Sequence, residues 1–348
     1  MSEAASLELW PDVHERYAAA FGVDPELGRR AYAAHPAHSD ALRPSRDEAL
    51  TSPEMARTIP EPLVMGVVNV TPDSFSDGGA WLNADAAIAH GLTLIEQGAA
   101  ILDVGGESTR PGAEPVGEGE ELRRVLPVLA GLAGRGARLS IDTSKAAVAA
   151  AALDAGATIV NDVTALRGDH QMATLIAERG CDVCLMHMLG EPRTMQRDPR
   201  YGDVVEDVRA FLAERLAYAV GRGIEEQCVW LDPGIGFGKT IDHNLELLAR
   251  LDEIVALGRP VVVGTSRKSF LGTITGREPG DRVPATIATN VLALAHGASI
   301  FRVHDVAQAR DALLVAAATL RGRWLPTTTS TTASTTSSKT TTRRSRPS

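Results

Sequence analysis

The chain has 348 residues, of which 44% are hydrophobic and 4% aromatic, and its formal net charge is −9 at pH 7. This surplus of acidic residues argues against a nucleic-acid-binding protein, because contacts with a phosphate backbone need a basic surface. It does not exclude an anionic small substrate, since a local group of donors overrides the overall charge.

No segment has the pattern of secretion or membrane insertion. Residues 1–22, MSEAASLELWPDVHERYAAAFG, contain acidic side chains and lack the apolar stretch of a signal peptide. No run of about 18 apolar residues is present, so no membrane partner is expected. Cys181 and Cys184 lie in the strand-like run CDVCLMHM, where a spacing of three points side chains to opposite faces. We interpret them as two buried cysteines rather than a redox pair, and we expect a cytoplasmic protein.

From Pro62 onward, short β-rich runs alternate with helical stretches. The runs are apolar throughout, as in parallel strands that are buried on both faces. Glycines such as Gly98, Gly156 and Gly180 follow the helical stretches, where they are typical of helix ends. The predicted strands, in chain order, are PLVMGVVNV, AAILDVGGES, RLSIDTS, TIVNDV, CDVCLMHM, CVWLDPG, PVVVGTS and SIFRVHDV.

A helical stretch follows each predicted strand. After the fifth strand, the apolar stripe of one long helix consists of Val204, Val208, Phe211, Leu212, Leu216, Ala219 and Val220. The sixth strand precedes DHNLELLARLDEIVALG, which we interpret as a single helix. About eight strand–helix units predict an α/β protein with a (β/α)8 TIM barrel. A doubly wound open sheet is the alternative.

The barrel is expected over residues 61–325, between two flanking segments. Residues 1–60 form an N-terminal extension that is predicted to be partly helical or loose. Residues 326–348, PTTTSTTASTTSSKTTTRRSRPS, are rich in threonine and serine and cannot form a core. We therefore expect a disordered tail at this end.

Polar residues end nearly every predicted strand, at the face where the active site of such a barrel lies. A carboxylate accepts two parallel N–H bonds from an aminopyrimidine, so the acceptors, amide and cation in this set suit a flat heterocycle. Asn69, Arg302 and His304 end two strands that are neighbours in a closed barrel, and together they predict an anion or metal–diphosphate site. Arg302 and His304 are expected at exposed strand ends rather than in the core. The polar set is Asn69, Asp103, Asp142, Asn161, His187, Asp232, Lys268, Arg302 and His304.

The segment LDPGIGFGKT, residues 231–240, has the appearance of a phosphate-binding loop. The Walker template is G-x-x-x-x-G-K-[ST]. When Gly238, Lys239 and Thr240 are aligned with its last three positions, the first glycine of the template falls on Pro233. Gly234 lies one position too late, so this segment needs another explanation. Two other segments, TPDSFSDGG and ESTRPGAEPVGEG, have the composition of mobile loops that close over a substrate.

Eight segments together resemble the dihydropteroate synthase family and occur in the family order. They are MGVVNVTPDSFSDGG, DVGGESTRPGAEP, SIDTSK, NDV, MHM, LDPGIGFGKT, GTSRKSFLG and RVHDV, and they span about residues 62–325. The resemblance implies a barrel that joins 6-hydroxymethyl-7,8-dihydropterin diphosphate to p-aminobenzoate and releases pyrophosphate. It also implies Mg²⁺ as a cofactor and a homodimer as the assembly.

The resemblance assigns a role to each residue of the pocket. Catalytic roles fall on Asp142, Lys268 and Arg302, and the magnesium ligand is Asn69. Pterin or diphosphate binding falls on Asp103, Thr109, Asp142, Asn161, Met186, Asp232, Phe237, Lys268, Arg302 and His304. The p-aminobenzoate site and its loops contain Phe75, Asp77, Arg110, Pro111 and Ser269. Within LDPGIGFGKT, the functional residue is then Asp232, whereas Lys239 is interpreted as an incidental cation near a helix start.

Two other classes of protein stay open at this point. A corrinoid-dependent methyltransferase domain also binds a pterin in such a barrel, but nothing in the chain matches a corrinoid-binding partner domain. A non-catalytic pterin-binding regulator is disfavoured by the intact loop motifs TPDSFSDGG and STRPGA. A turnover assay distinguishes these alternatives from the synthase.

Overall fold

The computed structural model describes residues 59–71, 80–108, 115–190 and 194–324, with side chains from residue 84 onward in the first helix. The predictions for the two flanking segments and for five loop residues lie outside this range. These loop residues are Phe75, Asp77, Thr109, Arg110 and Pro111. None of the helices in the described ranges is long and apolar enough to span a membrane.

Eight parallel strands form one sheet, and the first strand pairs with both the second and the eighth. The strands are β1 (Leu63–Asn69), β2 (Ile101–Gly105), β3 (Arg138–Asp142), β4 (Ile159–Asp162), β5 (Asp182–Met186), β6 (Val229–Asp232), β7 (Val262–Val263) and β8 (Ile300–Val303). The order β6-β5-β4-β3-β2-β1-β8-β7 leaves one joint, between β6 and β7. In the described chain, a single bridge between Leu231 and Val261 spans this joint. The predicted TIM barrel is confirmed, and the doubly wound open sheet is excluded.

Helices separate successive strands and surround the barrel. They are α1 (Ala80–Glu96), α2 (Glu118–Leu132), α3 (Ala146–Asp154), α4 (Met172–Arg179), α5 (Val204–Gly221), α6 (Ile241–Ala249), α7 (Leu251–Val255), α8 (Ser269–Thr275), α9 (Val283–Ala295) and α10 (Val306–Leu320), with 3-10 turns at Glu226–Cys228 and Pro279–Asp281. The prediction of one helix after β6 is wrong, because the helix breaks at Arg250 into α6 and α7. The predicted stripe of α5 is also too long. Val220, in the last turn of α5, is 42% exposed, so the buried stripe ends at Ala219.

Successive side chains of each strand point to opposite faces of the sheet, so they pack in two separate cores, one between the strands and the helices and one inside the barrel. Residues such as Leu102, Ile141 and Val160 point outward and pack in the layer of helices. The inward side chains fill the lower half of the barrel with an apolar plug of Met65, Ile101, Ile159, Cys184, Trp230, Val262 and Ile300. Two residues further along β2, β4, β6 and β8, the inward positions carry Asp103, Asn161, Asp232 and Arg302, so the polar site lies directly above the plug. Cys181 belongs to the outer core and Cys184 to the plug, on opposite faces as expected.

Candidate active site

A network around Asp103 forms the polar floor of the barrel mouth. This carboxylate is fully buried. It accepts hydrogen bonds from Ser140 Oγ at 2.5 Å, Asn161 Nδ2 at 3.0 Å and Arg302 Nε at 2.7 Å. Arg302 Nη2 also donates to Asp142 Oδ2 at 2.9 Å. Four of these five residues were predicted from the sequence. Ser140 was missed, although it lies two positions before Asp142 on the same face of β3.

Arg302 does not occupy the exposed strand end that the sequence suggested. The register pairs it with Met65 of β1, its side chain points inward, and it is 24% exposed. Burial acts to lower the pKa of Arg302, but the charges of Asp103 and Asp142 outweigh burial and raise it above its usual value. The correction has a simple cause: two buried carboxylates need a counter-charge within reach.

Asp142 titrates near neutral pH. Burial and the neighbouring Asp103 charge raise its pKa to about 7, while Arg302 opposes the shift. The register places Asp142 opposite Asn161 of β4, so an ionisable carboxyl and an amide lie side by side at the barrel mouth. This pair can offer both acceptors and a donor to one edge of a flat ring.

Asp232 and Lys268 form the opposite side of the mouth. Asp232 is buried at the end of β6, and its Oδ1 accepts a bond from the Gly234 N–H at 2.7 Å. Burial raises the pKa of Asp232, and the Lys268 charge opposes this shift. Lys268 Nζ donates to the Ile235 carbonyl and lies 4.5 Å from the centroid of the Phe237 ring. Burial lowers the pKa of Lys268 to about 8, against the attraction of Asp232.

An apolar slot lies between the two polar sides. The Phe237 ring packs against a cluster of three methionines and a valine: Met186, Met188, Met195 and Val163. Met186 and Phe237 were predicted as site residues, whereas Met195 was missed because it lies in an irregular segment with no periodic pattern. Thioether and aromatic surfaces suit the faces of a flat heterocycle. Polar edges and apolar faces together define a slot for a planar polar ring.

The glycines of LDPGIGFGKT are explained by close packing of the loop. Gly234 has φ +66°, and a Cβ atom there would lie 1.9 Å from the His187 carbonyl oxygen. Gly236 has φ +84°, and its Cβ would lie 2.9 Å from Lys268 Cδ. Side chains other than hydrogen cannot occupy these positions without displacing the backbone or Lys268. The loop therefore lies against the end of β5 and against Lys268, which accounts for its glycines without a phosphate.

Lys239 does lie near a helix start, as predicted, but the interpretation of it as an incidental cation is wrong. Its side chain is 3% exposed, and α6 begins only after the N-cap residue Thr240. Lys239 Nζ lies 2.8 Å from His187 Nδ1 and donates to the Phe237 carbonyl at 3.1 Å. His187 was expected to line the mouth, but it lies in the outer layer and its ring contacts Phe211 of α5 edge-on.

The remaining predicted residues lie at the rim. His304 Nδ1 is 3.0 Å from Ser266 Oγ, and the His304 N–H donates to the same oxygen. Ser269 is exposed as the first residue of α8, and Asn69 is partly buried at the end of β1. In the ranges that the structure describes, no group of three or more His, Cys, Asp or Glu side chains could hold a metal ion.

The fold and the site define a barrel protein whose slot fits a polar, planar ring such as a pterin. A family described as "Pterin binding enzyme" matches residues 65–304, and the chain belongs to this family. It is similar to proteins with a more specific name. Dihydropteroate synthase of Escherichia coli (strain K12) is 45% identical over 263 residues, which cover 75% of this chain and 93% of that protein.

Other relatives carry the same name, alone or in combination. A Haloferax volcanii protein named probable bifunctional folylpolyglutamate synthase/dihydropteroate synthase is 49% identical over 256 residues. This match covers 74% of the chain and 30% of that longer protein. Xanthomonas albilineans dihydropteroate synthase with 4-aminobenzoic acid has a TM-score of 0.70 and 49% identity, and covers 74% of this chain and 92% of its own. A structure of that enzyme in complex with 7,8-dihydropteroate has a TM-score of 0.67 and 46% identity, with 74% and 93% coverage.

Proposed function

We propose that this protein is a dihydropteroate synthase. It condenses 6-hydroxymethyl-7,8-dihydropterin diphosphate with p-aminobenzoate to 7,8-dihydropteroate and pyrophosphate. Relatives with this name cover the whole barrel at about 45% identity, and related structures contain 4-aminobenzoic acid or 7,8-dihydropteroate. The activity is that of a transferase, because an alkyl group moves from a diphosphate oxygen to an aniline nitrogen.

One observation carries the proposal: the slot has carboxylates on two opposite sides and apolar faces between them. On one side, Asp142 lies beside Asn161 above the floor. On the other side, Asp232 uses Oδ1 for the Gly234 N–H, and the described residues show no bond to its Oδ2. The amino group and ring N–H groups of a pterin are donors, so carboxylates on two sides can bind both ends of the ring. Met186 and Phe237 cover the faces.

The chemistry needs a leaving diphosphate and a placed nucleophile. The bond between the pterin methylene carbon and the diphosphate oxygen breaks, and the electron pair leaves with pyrophosphate. The lone pair of the aniline nitrogen forms the new C–N bond, after which this nitrogen loses one proton. The pterin ring delocalises positive charge that develops on the methylene carbon, and anionic Asp142 stabilises that charge electrostatically. The nucleophile needs placement rather than a strong base, and Lys268 and Ser269 border its position.

The rim residues are proposed to bind the diphosphate. His304 would hydrogen-bond its oxygens, and Arg302 would add positive charge from the floor. Asn69 fits a magnesium ion that arrives with the diphosphate, because Mg²⁺ keeps several waters and takes few protein oxygens when phosphates are present. Such an ion supplies neutralisation of the charge on the leaving group. The proposal that Asn69 binds magnesium rests on the chemistry of its amide oxygen. The described residues contain no group of three or more His, Cys, Asp or Glu side chains that could hold the ion.

The direct test measures pyrophosphate release by the full chain with both substrates and Mg²⁺. We expect release and formation of 7,8-dihydropteroate only when both substrates are present, and loss of both with EDTA. Pterin binding without turnover would identify a non-catalytic pterin-binding protein instead. Methyl transfer from a methylated pterin to a corrinoid would identify the methyltransferase alternative.

We also propose that two chains associate and that the protein acts in the cytoplasm. Support for a homodimer comes from exposed apolar residues on two packed helices, Leu292 of α9 at 57% and Val315 of α10 at 67% exposure. Apolar side chains in this arrangement are typical of an interface between subunits. Light scattering on the full chain should give twice the chain mass, and a monomer at all concentrations would contradict the proposal.

A further inference from the structure

The loop between β6 and α6 is fixed by side chains along its whole backbone. Four consecutive carbonyls, those of residues 235–238, each accept a hydrogen bond from a side chain. The donors are Lys268 Nζ to Ile235, Gln196 Nε2 to Gly236, Lys239 Nζ to Phe237 and Tyr201 Oη to Gly238. We refer to residues 234–239 as the clamped loop.

The clamping groups reach the loop from separate parts of the chain. Gln196 and Tyr201 belong to the segment between β5 and α5, which lies against the loop. Lys239 belongs to the loop itself, and His187 Nδ1 fixes its amine from the end of β5. From α6, the Asn244 Oδ1 atom accepts the Gly236 N–H at 2.6 Å. Three structural elements therefore restrain a backbone that its glycines would otherwise leave free.

Lys239 is buried, and burial disfavours its charged form. Burial lowers its pKa well below the usual value, and burial with the Lys239 charge lowers the pKa of His187 to about 2. A buried amine is unfavourable unless its hydrogen bonds are satisfied. Lys239 Nζ forms two hydrogen bonds, one with His187 Nδ1 and one with the carbonyl of Phe237. Phe237 is the residue whose ring lines the slot.

We propose that Lys239, together with Gln196 and Tyr201, positions the Phe237 ring for substrate binding. This inference rests on the proposed function. The ring has two contacts at fixed places: it packs against the methionine cluster, and it faces the Lys268 ammonium at 4.5 Å. A glycine-rich loop without anchors samples many conformations, so each binding event would have to order it again. Lys239 acts through Phe237 and does not itself touch the substrate.

The test is a double-mutant cycle with Lys239→Met and Phe237→Leu. The methionine keeps an unbranched side chain, one heavy atom shorter, and removes the donor. We expect Lys239→Met to raise KM for the pterin diphosphate about tenfold, which corresponds to about 1.4 kcal/mol. The value of kcat should change much less, because Lys268 keeps its own bond to Ile235. In the Phe237→Leu background, Lys239→Met should add little, since the ring through which it acts has been lost.

Three further measurements keep the test decisive. Val128→Ala, in the fully buried part of α2, should lower stability without changing KM and serves as the control for a merely structural effect. Hydrogen exchange of the free protein should be faster over residues 234–239 in Lys239→Met than in wild type. If Lys239→Met does not fold, Tyr201→Phe and the exposed Gln196→Leu each remove one clamp and should raise KM by a smaller factor.

The outcomes separate this inference from the proposed function. An unchanged KM in the clamp variants, or effects of Lys239→Met and Phe237→Leu that multiply, would overturn the positioning role while wild-type turnover upholds the synthase. Absence of wild-type turnover would overturn the synthase. In that case, calorimetry of pterin binding by the same variants decides the positioning role.

Discussion

Three aspartates occupy the same region of the barrel mouth, and their surroundings give each a different chemistry. Asp103 accepts three side-chain hydrogen bonds and is fully committed to the floor. Asp142 accepts a hydrogen bond from Arg302, and its pKa is raised to about 7. Asp232 has one backbone donor and lies on the side of the loop. We therefore expect Asp103 to hold the site together and the other two to bind substrate.

The first prediction concerns the pH dependence of pterin binding. The pKa of Asp142 is about 7 in the folded protein, above its usual value, and a pterin N–H needs the carboxylate form. Affinity for the pterin should therefore fall as the pH decreases below about 7, and binding near pH 6.5 should release protons. The folded state also binds this proton more tightly than the unfolded state. Protonation of this group therefore makes the unfolding free energy decrease as the pH rises from about 4 to about 7.

Calorimetry in buffers with different ionisation enthalpies measures the proton release directly. Asp142→Asn should abolish the release and flatten the pH dependence of affinity. An unchanged proton count in this variant would show that another group titrates.

The second prediction concerns Asp232→Asn. The amide places an N–H donor opposite the donors of the pterin and removes a charge-assisted bond, at a cost of about 3 kcal/mol. Pterin affinity should fall roughly a hundredfold, as measured by calorimetry. Asp154→Asn is the matched control, because Asp154 is an exposed carboxylate paired with Arg179 at the end of α3. Equal affinities of the two variants would exclude Asp232 from the pterin site.

Among the structural elements, β2, α2 and α3 meet at one partly buried cation, Lys145, whose side chain is 25% exposed. Lys145, the residue before α3, contacts Glu107 Oε2 after β2 and Glu121 Oε2 of α2. Glu121 is fully buried, and within the described ranges its Oε1 has no hydrogen-bond partner. Burial acts to lower the pKa of Lys145, but its bonds to the two glutamates raise it overall. The ion pairs therefore hold two helices at the base of the second predicted loop.

The third prediction follows from this arrangement. Lys145→Met leaves the Glu121 carboxylate buried without a counter-charge, which should lower the unfolding free energy by about 3–5 kcal/mol. The double variant Lys145→Met/Glu121→Leu should recover much of this loss, because no buried charge remains. Urea unfolding of the three proteins measures both effects. Additive losses in the double variant would contradict the pairing.

The eight strands were predictable from the sequence, because parallel strands that are buried on both faces have a continuous apolar pattern. The ends of β1, β3 and β6 carry Asn69, Asp142 and Asp232, as the resemblance and the strand pattern indicated. The direction of long side chains was not predictable. Arg302 turns inward and Lys239 is buried beside His187, because partners distant in sequence decide where a flexible cation lies.

At the scale of the whole molecule, one arginine connects the segment before the first strand of the barrel to the end of its last helix. Arg321 follows α10, and its guanidinium donates to the Ile59 and Pro60 carbonyls and pairs with Glu61. Its side chain is mostly buried at 18% exposure. This contact fixes the segment that leads into β1 against the last helix.

The fourth prediction is that Arg321→Ala lowers the unfolding free energy by about 2 kcal/mol, the cost of leaving carbonyls without partners. The values of kcat and KM should not change, because the contact joins the segment before β1 to the end of α10 and does not lie at the barrel mouth. Arg323→Ala, at an exposed position nearby, is the control and should be neutral. A change in KM for either substrate would show that this connection reaches the site.

The single bridge between β6 and β7 has a consequence for the bound enzyme. Asp232 ends β6 and Lys268 follows β7, so the two residues stand on either side of the joint with the fewest backbone bonds. A ligand that contacts both residues therefore links β6 to β7 across the joint of the barrel that has the fewest backbone hydrogen bonds. We expect the amides of Leu231 and Val263 to be among the first of the barrel to exchange when the slot is empty. Saturation with a pterin should slow their exchange more than that of the β2–β3 pair, so the substrate completes the closure of the barrel that it enters.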